Sequence, residues 1–156
     1  MHGTQYQYDD VEHYVGKEIG TSDWLAIDQQ RINQFAACTG DQQWIHVDPE
    51  RAAQESPFGA TIAHGFLVLS LLAKWNFESG GIPSDAATAV NYGSNKVRFM
   101  SPVLAGKRVR NRMKLTDCQD KGARKLLTIE NVVEIEGSEK PALIADTLVL
   151  VQQPKS

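Results

Sequence analysis

Apolar residues change their spacing twice along this chain, and each change marks an element. From Ile19 to Ile27 they alternate loosely, with Trp24, Leu25 and Ile27, which predicts a first strand. Asp28 then has the character of an N-cap. Across Gln29 to Cys38, Ile32, Phe35 and Ala36 recur at helical spacing, and Gly40 falls where a left-handed residue would end that helix. Asp48, Pro49 and Glu50 signal a second, short helix reaching about Glu55, and Ser56-Pro57-Phe58-Gly59 reads as a loop. From His64 to Phe77 the sequence is apolar nearly all round, through Phe66, Leu67, Val68, Leu69, Leu71, Leu72, Ala73 and Trp75. Such a helix has to be covered on every side. Gly80-Gly81-Ile82-Pro83 breaks it.

Beyond that break the period drops to two, and four strands are expected at Thr88–Pro102, Lys107–Thr116, Arg124–Glu136 and Pro141–Val151. Their connections carry turn residues at Leu104-Ala105-Gly106, Asp120-Lys121-Gly122 and Gly137-Ser138. In the second of these strands Arg108, Arg110, Arg112 and Lys114 alternate with Val109, Asn111, Met113 and Leu115. In the third, Thr128, Glu130 and Glu134 alternate with Leu127, Ile129, Val133 and Ile135. Each strand thus has one buried and one wet face, and pairing them sets a basic row beside an acidic one. One curved five-stranded antiparallel sheet wrapped around one apolar helix, an α+β layering, buries both surfaces.

The bulk numbers fit one domain spanning 1–156, with Met1 to Asp10, polar and rich in Gln, Tyr and Asp, expected to fray. A net charge of -3 and glutamates beside the basic row disfavour nucleic-acid binding. No apolar run approaches the length of a membrane span, and no signal peptide is apparent. Cys38 and Cys118 stand at no metal or redox spacing, so a reducing, cytoplasmic setting is expected.

Chemistry concentrates in Gly40 to Val47, an aperiodic stretch between helices. Asp41 and His46 lie five residues apart there, an acid/base pair if their side chains converge, or a turn cap and a packed ring if they do not. Gly65 opens the apolar helix, where free backbone N–H groups can hold developing negative charge; a close packing contact is the other reason to find glycine there. His64 can contact a ligand or fix the helix start. A zinc site from His46, Asp48 and His64 follows no recognised ligand pattern. Cys38, near a helix C-terminus, is a poor thiolate.

Three stretches carry a family resemblance: Phe35-Ala-Ala-Cys-Thr-Gly-Asp41, His46-Val-Asp48-Pro49 and Ala63-His-Gly65-Phe, with Asn91 to Phe99 and Pro102-Val103 extending it. They resemble the MaoC-like dehydratases and the (R)-specific enoyl-CoA hydratases, which have the hotdog fold, and look most like the branch that includes nodulation protein N. That family's Gly-Asp-x-Asn-Pro-x-His motif is matched by Gly40-Asp41-Gln42-Gln43-Trp44-Ile45-His46, with Gln43 and Trp44 in place of Asn-Pro.

The resemblance implies hydration of a trans-2-enoyl thioester to a 3-hydroxyacyl thioester of R configuration. It assigns catalysis to Asp41, His46 and the Gly65 N–H, and implies substrate contacts from His64, Phe66, Asn95 and Trp44. No cofactor is implied beyond the substrate, an acyl-CoA or acyl-carrier thioester, and Lys96, Arg98 or Lys107 could meet the CoA phosphates; a homodimer joined sheet edge to sheet edge, or a higher homo-oligomer, is expected. A thioesterase on the same fold, and a dimeric acyl-CoA binding protein without turnover, are the alternatives.

Overall fold

Asp28 and Asp48 act as the two caps that their positions predict. In the computed structural model, which describes residues 2–155, the Asp28 carboxylate accepts the Arg31 N–H at 2.8 Å and starts helix α1, Gln29–Thr39. Gly40 closes α1 at φ 84°, a backbone conformation that costs glycine little. A single turn, α2 (Trp44–Val47), follows, and then α3 (Pro49–Glu55), where Asp48 accepts the Arg51 N–H at 3.0 Å and Pro49 occupies the first turn. Helix α4 spans Gly65–Glu78.

The strands are β1 (His2–Gly3), β2 (Glu18–Thr21), β3 (Leu25–Ala26), β4 (Thr88–Phe99), β5 (Arg108–Asp120), β6 (Arg124–Ile135) and β7 (Leu143–Gln152). They form one antiparallel sheet in the order β1-β2-β5-β6-β7-β4, with β3 also pairing β5. The stretch Ile19–Ile27, expected as one strand, is broken. Ser22 turns inward, donating its N–H to the Asn111 carbonyl and accepting the Asn111 N–H on Oγ, each at 2.9 Å. β2 and β3 thus flank a bend against the same partner, so the five-strand frame holds with the short β1 added at its edge.

The charge rows meet as expected. Arg110 pairs in register with Glu134, and the Glu134 carboxylate accepts from Arg110 at 2.6 Å and from Arg112 at 2.7 Å. Burial would raise the Glu134 carboxyl, yet these guanidinium partners hold it below the usual carboxylate range. On the opposite face, Val109, Met113, Leu115, Leu127, Ile129, Val133, Leu143, Val149 and Val151 are buried. A polar row crosses that face: Asn131 accepts from Asn111 at 2.8 Å and donates to the Thr147 hydroxyl at 2.9 Å. It lies between two apolar clusters, one around α4 and one beneath the N-terminal segment.

That N-terminal segment does not fray. Thr4 N–H donates to the Ile19 carbonyl at 2.8 Å, and Tyr6, Tyr8 and Val11 are buried, the last two on a 3-10 helix over Tyr8–Tyr14. The part of the sheet face that α4 leaves open needs a cover, and these residues supply it; Met1 lies outside the described residues. Helix α4 departs from expectation in the other direction. Leu67, Val68, Leu71, Leu72 and Trp75 are buried, but Phe66 is 68% and Phe77 63% exposed, so within one chain only one side is covered. No helix among the described residues is long and apolar enough to cross a membrane.

Because Tyr6 fills core and donates its hydroxyl to the Gly81 carbonyl at 3.0 Å, Tyr6→Ala is expected to lower unfolding free energy by about 3 kcal/mol or more in urea titration. A frayed end would leave the midpoint unchanged.

Candidate active site

Three segments meet at the start of α4: the loop after α1, the single turn of α2, and the extended stretch Thr61–His64. Their local chemistry explains the meeting. The Ile62 N–H donates to the Ile45 carbonyl at 3.0 Å, and the His46 Nδ1–H donates to the Ile62 carbonyl at 2.7 Å, so α2 and the approach to α4 are stitched as a short ladder. Ala63 N–H in turn donates to Val103 at 2.8 Å, tying the stretch to the segment after β4. The result carries Asp41, His46 and His64 into one group, with one donor atom from each lying within 4.8 Å of the others.

His46 is buried, and with Nδ1 bonded inward its Nε2 lone pair remains for the site. Burial pushes its imidazole below the ordinary histidine value, and neighbouring His64 pushes the same way; the Ile62 bond and the Asp41 carboxylate oppose them. Asp41 is different: its side chain is 53% exposed, and a carboxylate oxygen accepts the Gln43 N–H at 3.4 Å. One solvent-exposed carboxyl group and one buried imidazole thus have donor atoms within 4.8 Å of each other, an arrangement suited to taking a proton from water and returning one.

His64 is buried, with its Nε2 4.0 Å from a carboxylate oxygen of Asp41. Its ring stacks on His46 with centroids 3.9 Å apart and planes 25° apart, and tilts against Phe35 at 4.9 Å. The trio of His46, Asp48 and His64 does not form: Asp48 caps α3, and Asp41 stands with the two rings instead.

Gly65 serves packing, whatever its amide does. A Cβ there would lie 2.9 Å from the Phe99 ring, so the ring seats only on glycine. Phe99 also tilts against Phe66 at 5.8 Å, and both line an apolar cavity of about 410 Å³ whose wall includes Ile62, Gly65, Val103 and Ala142. Trp44 stands at the first position of α2, where proline is well tolerated, and Arg51 stacks on its ring at 4.3 Å. The turn therefore forms without the family's Asn-Pro pair. Asn95 sits exposed on β4 opposite Asp146, and the neighbouring Lys96 reaches Asp146 at 3.6 Å; neither lines the cavity at Gly65. Cys38 is exposed at the end of α1.

Two supporting residues have no signal in the sequence. Gln29 donates to the His46 carbonyl at 2.6 Å and to Asn33 at 2.9 Å, while its own carbonyl accepts the Thr61 hydroxyl, so it clamps α2 to the approach to α4. A glutamine in the first turn after a cap reads as solvated, and only tertiary contacts show its role. Phe99 lies within the stretch that extends the family resemblance, yet nothing there signals its seat on Gly65.

Comparison with known proteins places this geometry. The MaoC like domain model matches residues 10–136. Nodulation protein N of Rhizobium leguminosarum bv. viciae is 51% identical over 146 residues, covering 92% of this chain and 89% of that protein. The 3-hydroxyacyl-thioester dehydratase Z of Mycobacterium tuberculosis is 47% identical over 141 residues, covering 90% of this chain and 92% of that one. Among solved structures, the unliganded R-hydratase PhaJ1 from Pseudomonas aeruginosa superposes with a TM-score of 0.73 at 20% identity, over 89% of this chain and 82% of that one, a likeness that carries the fold. The sheet curled around α4 is the hotdog fold, and with the domain model aligned along most of its length the chain belongs to the MaoC-like dehydratase family.

Proposed function

We propose that this protein adds water to, or removes it from, an acyl thioester, interconverting a trans-2-enoyl thioester and the (R)-3-hydroxyacyl thioester. The observation that carries the reading is the convergence of the Asp41 carboxylate and the His46 ring beside the first turn of α4. The similarity to a 3-hydroxyacyl-thioester dehydratase over nine-tenths of the chain supports the same class.

In this reading a water sits between Asp41 and Nε2 of His46. As its oxygen bonds the β-carbon, the dyad takes a proton from it and returns one to the α-carbon, so H and OH of one water are both accounted for. The charge that builds on the thioester oxygen is held by the Gly65 N–H, one of the first-turn donors that lack a partner within the helix. The coupled pair, rather than either residue alone, is the acid and the base. Every proton transfer is thereby assigned to Asp41, His46 and water, with the CoA thioester as substrate.

The working unit is a homodimer. Edge strand β4 has a free edge, and Tyr92 on it is exposed, as are Phe66 and Phe77 on the uncovered side of α4. A second copy would supply the cover that an all-round apolar helix requires.

Three outcomes follow. Asp41→Asn and His46→Ala should fold normally and lose about 10²- to 10⁴-fold in kcat for hydration of a short enoyl-CoA, followed as loss of the conjugated thioester absorbance; release of free CoA thiol instead would indicate a thioesterase, and binding without turnover a non-catalytic acyl-CoA protein. Since the neutral His46 ring is the competent form and burial lowers its pKa, kcat/KM should fall only as pH drops below the ordinary histidine range. An acid limb above that range would contradict this. Analytical ultracentrifugation should give twice the 17.3 kDa chain mass, and Tyr92→Glu should shift it to monomer.

A further inference from the structure

We propose that His64 is a positioning residue, holding the backbone of Asp41 in register with the start of α4 and touching no substrate. This rests on the hydration reading above, and it concerns how the dyad is held, not what it does.

Three observations converge. The ring is 2% exposed and enclosed between His46 and Phe35, so no face of it is left for a ligand. It does not cap the helix it precedes; its Nε2 instead lies 3.0 Å from the backbone carbonyl of Asp41, twenty-three residues earlier in the chain. A carbonyl only accepts, so Nε2 carries the hydrogen and Nδ1 is left as a bare lone pair. Nδ1 is buried and has no partner. A residue kept only to fill space would shed that orphaned acceptor, because phenylalanine or leucine fills similar volume without it.

The bond matters because little else fixes Asp41. Its own N–H reaches Thr39 Oγ1 at 3.4 Å, its carboxylate meets the Gln43 N–H at 3.4 Å, and both contacts are long and local. The His64 bond is the shorter one, and it comes from the far side of the site. It also comes from the residue next to Gly65, while the same ring stacks on His46. One imidazole thus links the carboxylate loop, the catalytic ring and the helix start. The carboxylate stays 53% exposed, with one oxygen 4.0 Å from the same Nε2, while its main chain is tethered at 3.0 Å from within.

Two variants separate tethering from filling. His64→Phe keeps an aromatic ring for the stack and loses the donor; His64→Gln keeps an N–H at about the reach of Nε2 and loses the ring. With a short trans-2-enoyl-CoA, the Phe variant should lose about 100-fold in kcat with KM within about threefold, and Gln should restore at least about tenfold of that loss. Wild-type kcat in the Phe variant, or a Gln variant as impaired as Phe, would overturn the proposal. The second readout is independent of turnover: long-range proton–nitrogen spectra of the wild type should show His64 protonated at Nε2 and bare at Nδ1, and the Asp41 carbonyl resonance should move in the Phe variant but not in Gln. The opposite tautomer, or an unmoved Asp41 carbonyl, would equally overturn it. An inactive wild type would sink the hydration reading alone, and the spectra would then decide the positioning claim.

Discussion

The structure depends on one constraint: helix α4 is apolar nearly all round, and the sheet is arranged to cover the side that carries Leu67, Leu71, Leu72 and Trp75. The sheet supplies most of the enclosure by curling its apolar face around Leu67, Val68, Leu71, Leu72 and Trp75. The face is longer than the helix covers, and the surplus is closed by Tyr6, Tyr8 and Val11 from the N-terminal segment. Between the two clusters the Asn111, Asn131 and Thr147 row crosses the interior, its side chains bonded to one another although Asn111 Oδ1 is left without a partner, and the Asn111 main chain also anchors the bend at Ser22. A buried polar row is tolerable only when its members pair with one another, and here that pairing also fixes where the first long strand breaks.

The enclosure makes the site possible. Because the N-terminus of α4 emerges at the edge of the sheet, its first turn faces the loop that leaves α1, and the stretch Thr61–His64 is drawn between them as a strap. His46 is held through its own Nδ1, through its carbonyl by Gln29, and through its ring by His64. Asp41 keeps its carboxylate in water. Burial lowers the His46 imidazole below its ordinary value, while the Asp41 carboxyl group is left open to solvent. Gly65 answers to two demands at once, since the Phe99 ring rests where its side chain would be.

Much of this was legible in the sequence because it rests on local rules. The caps at Asp28 and Asp48, the stop at Gly40, the alternation along β5 and β6 and the facing rows of Arg and Glu are all consequences of residues a few positions apart or of a strict period of two. The helical turn of α2 was not, because Gln43 and Trp44 give no periodic signal; it forms through contacts with Arg51 and Ile62. Gln29 and Phe99 were hidden for the same reason, their roles being set by partners 17 to 34 positions away.

By itself, then, the sequence determined an apolar helix, four long strands and a motif with its Asp and His at family spacing, since propensity, capping and periodicity act over short range. Tertiary structure alone decided that the polar N-terminus is core, that the long first strand is two short ones, that α4 leaves Phe66 and Phe77 bare, and that His64 is buried against the His46 ring. Those outcomes hang on which surfaces meet after the chain has folded, and burial and the partner across a contact are quantities that no local pattern encodes.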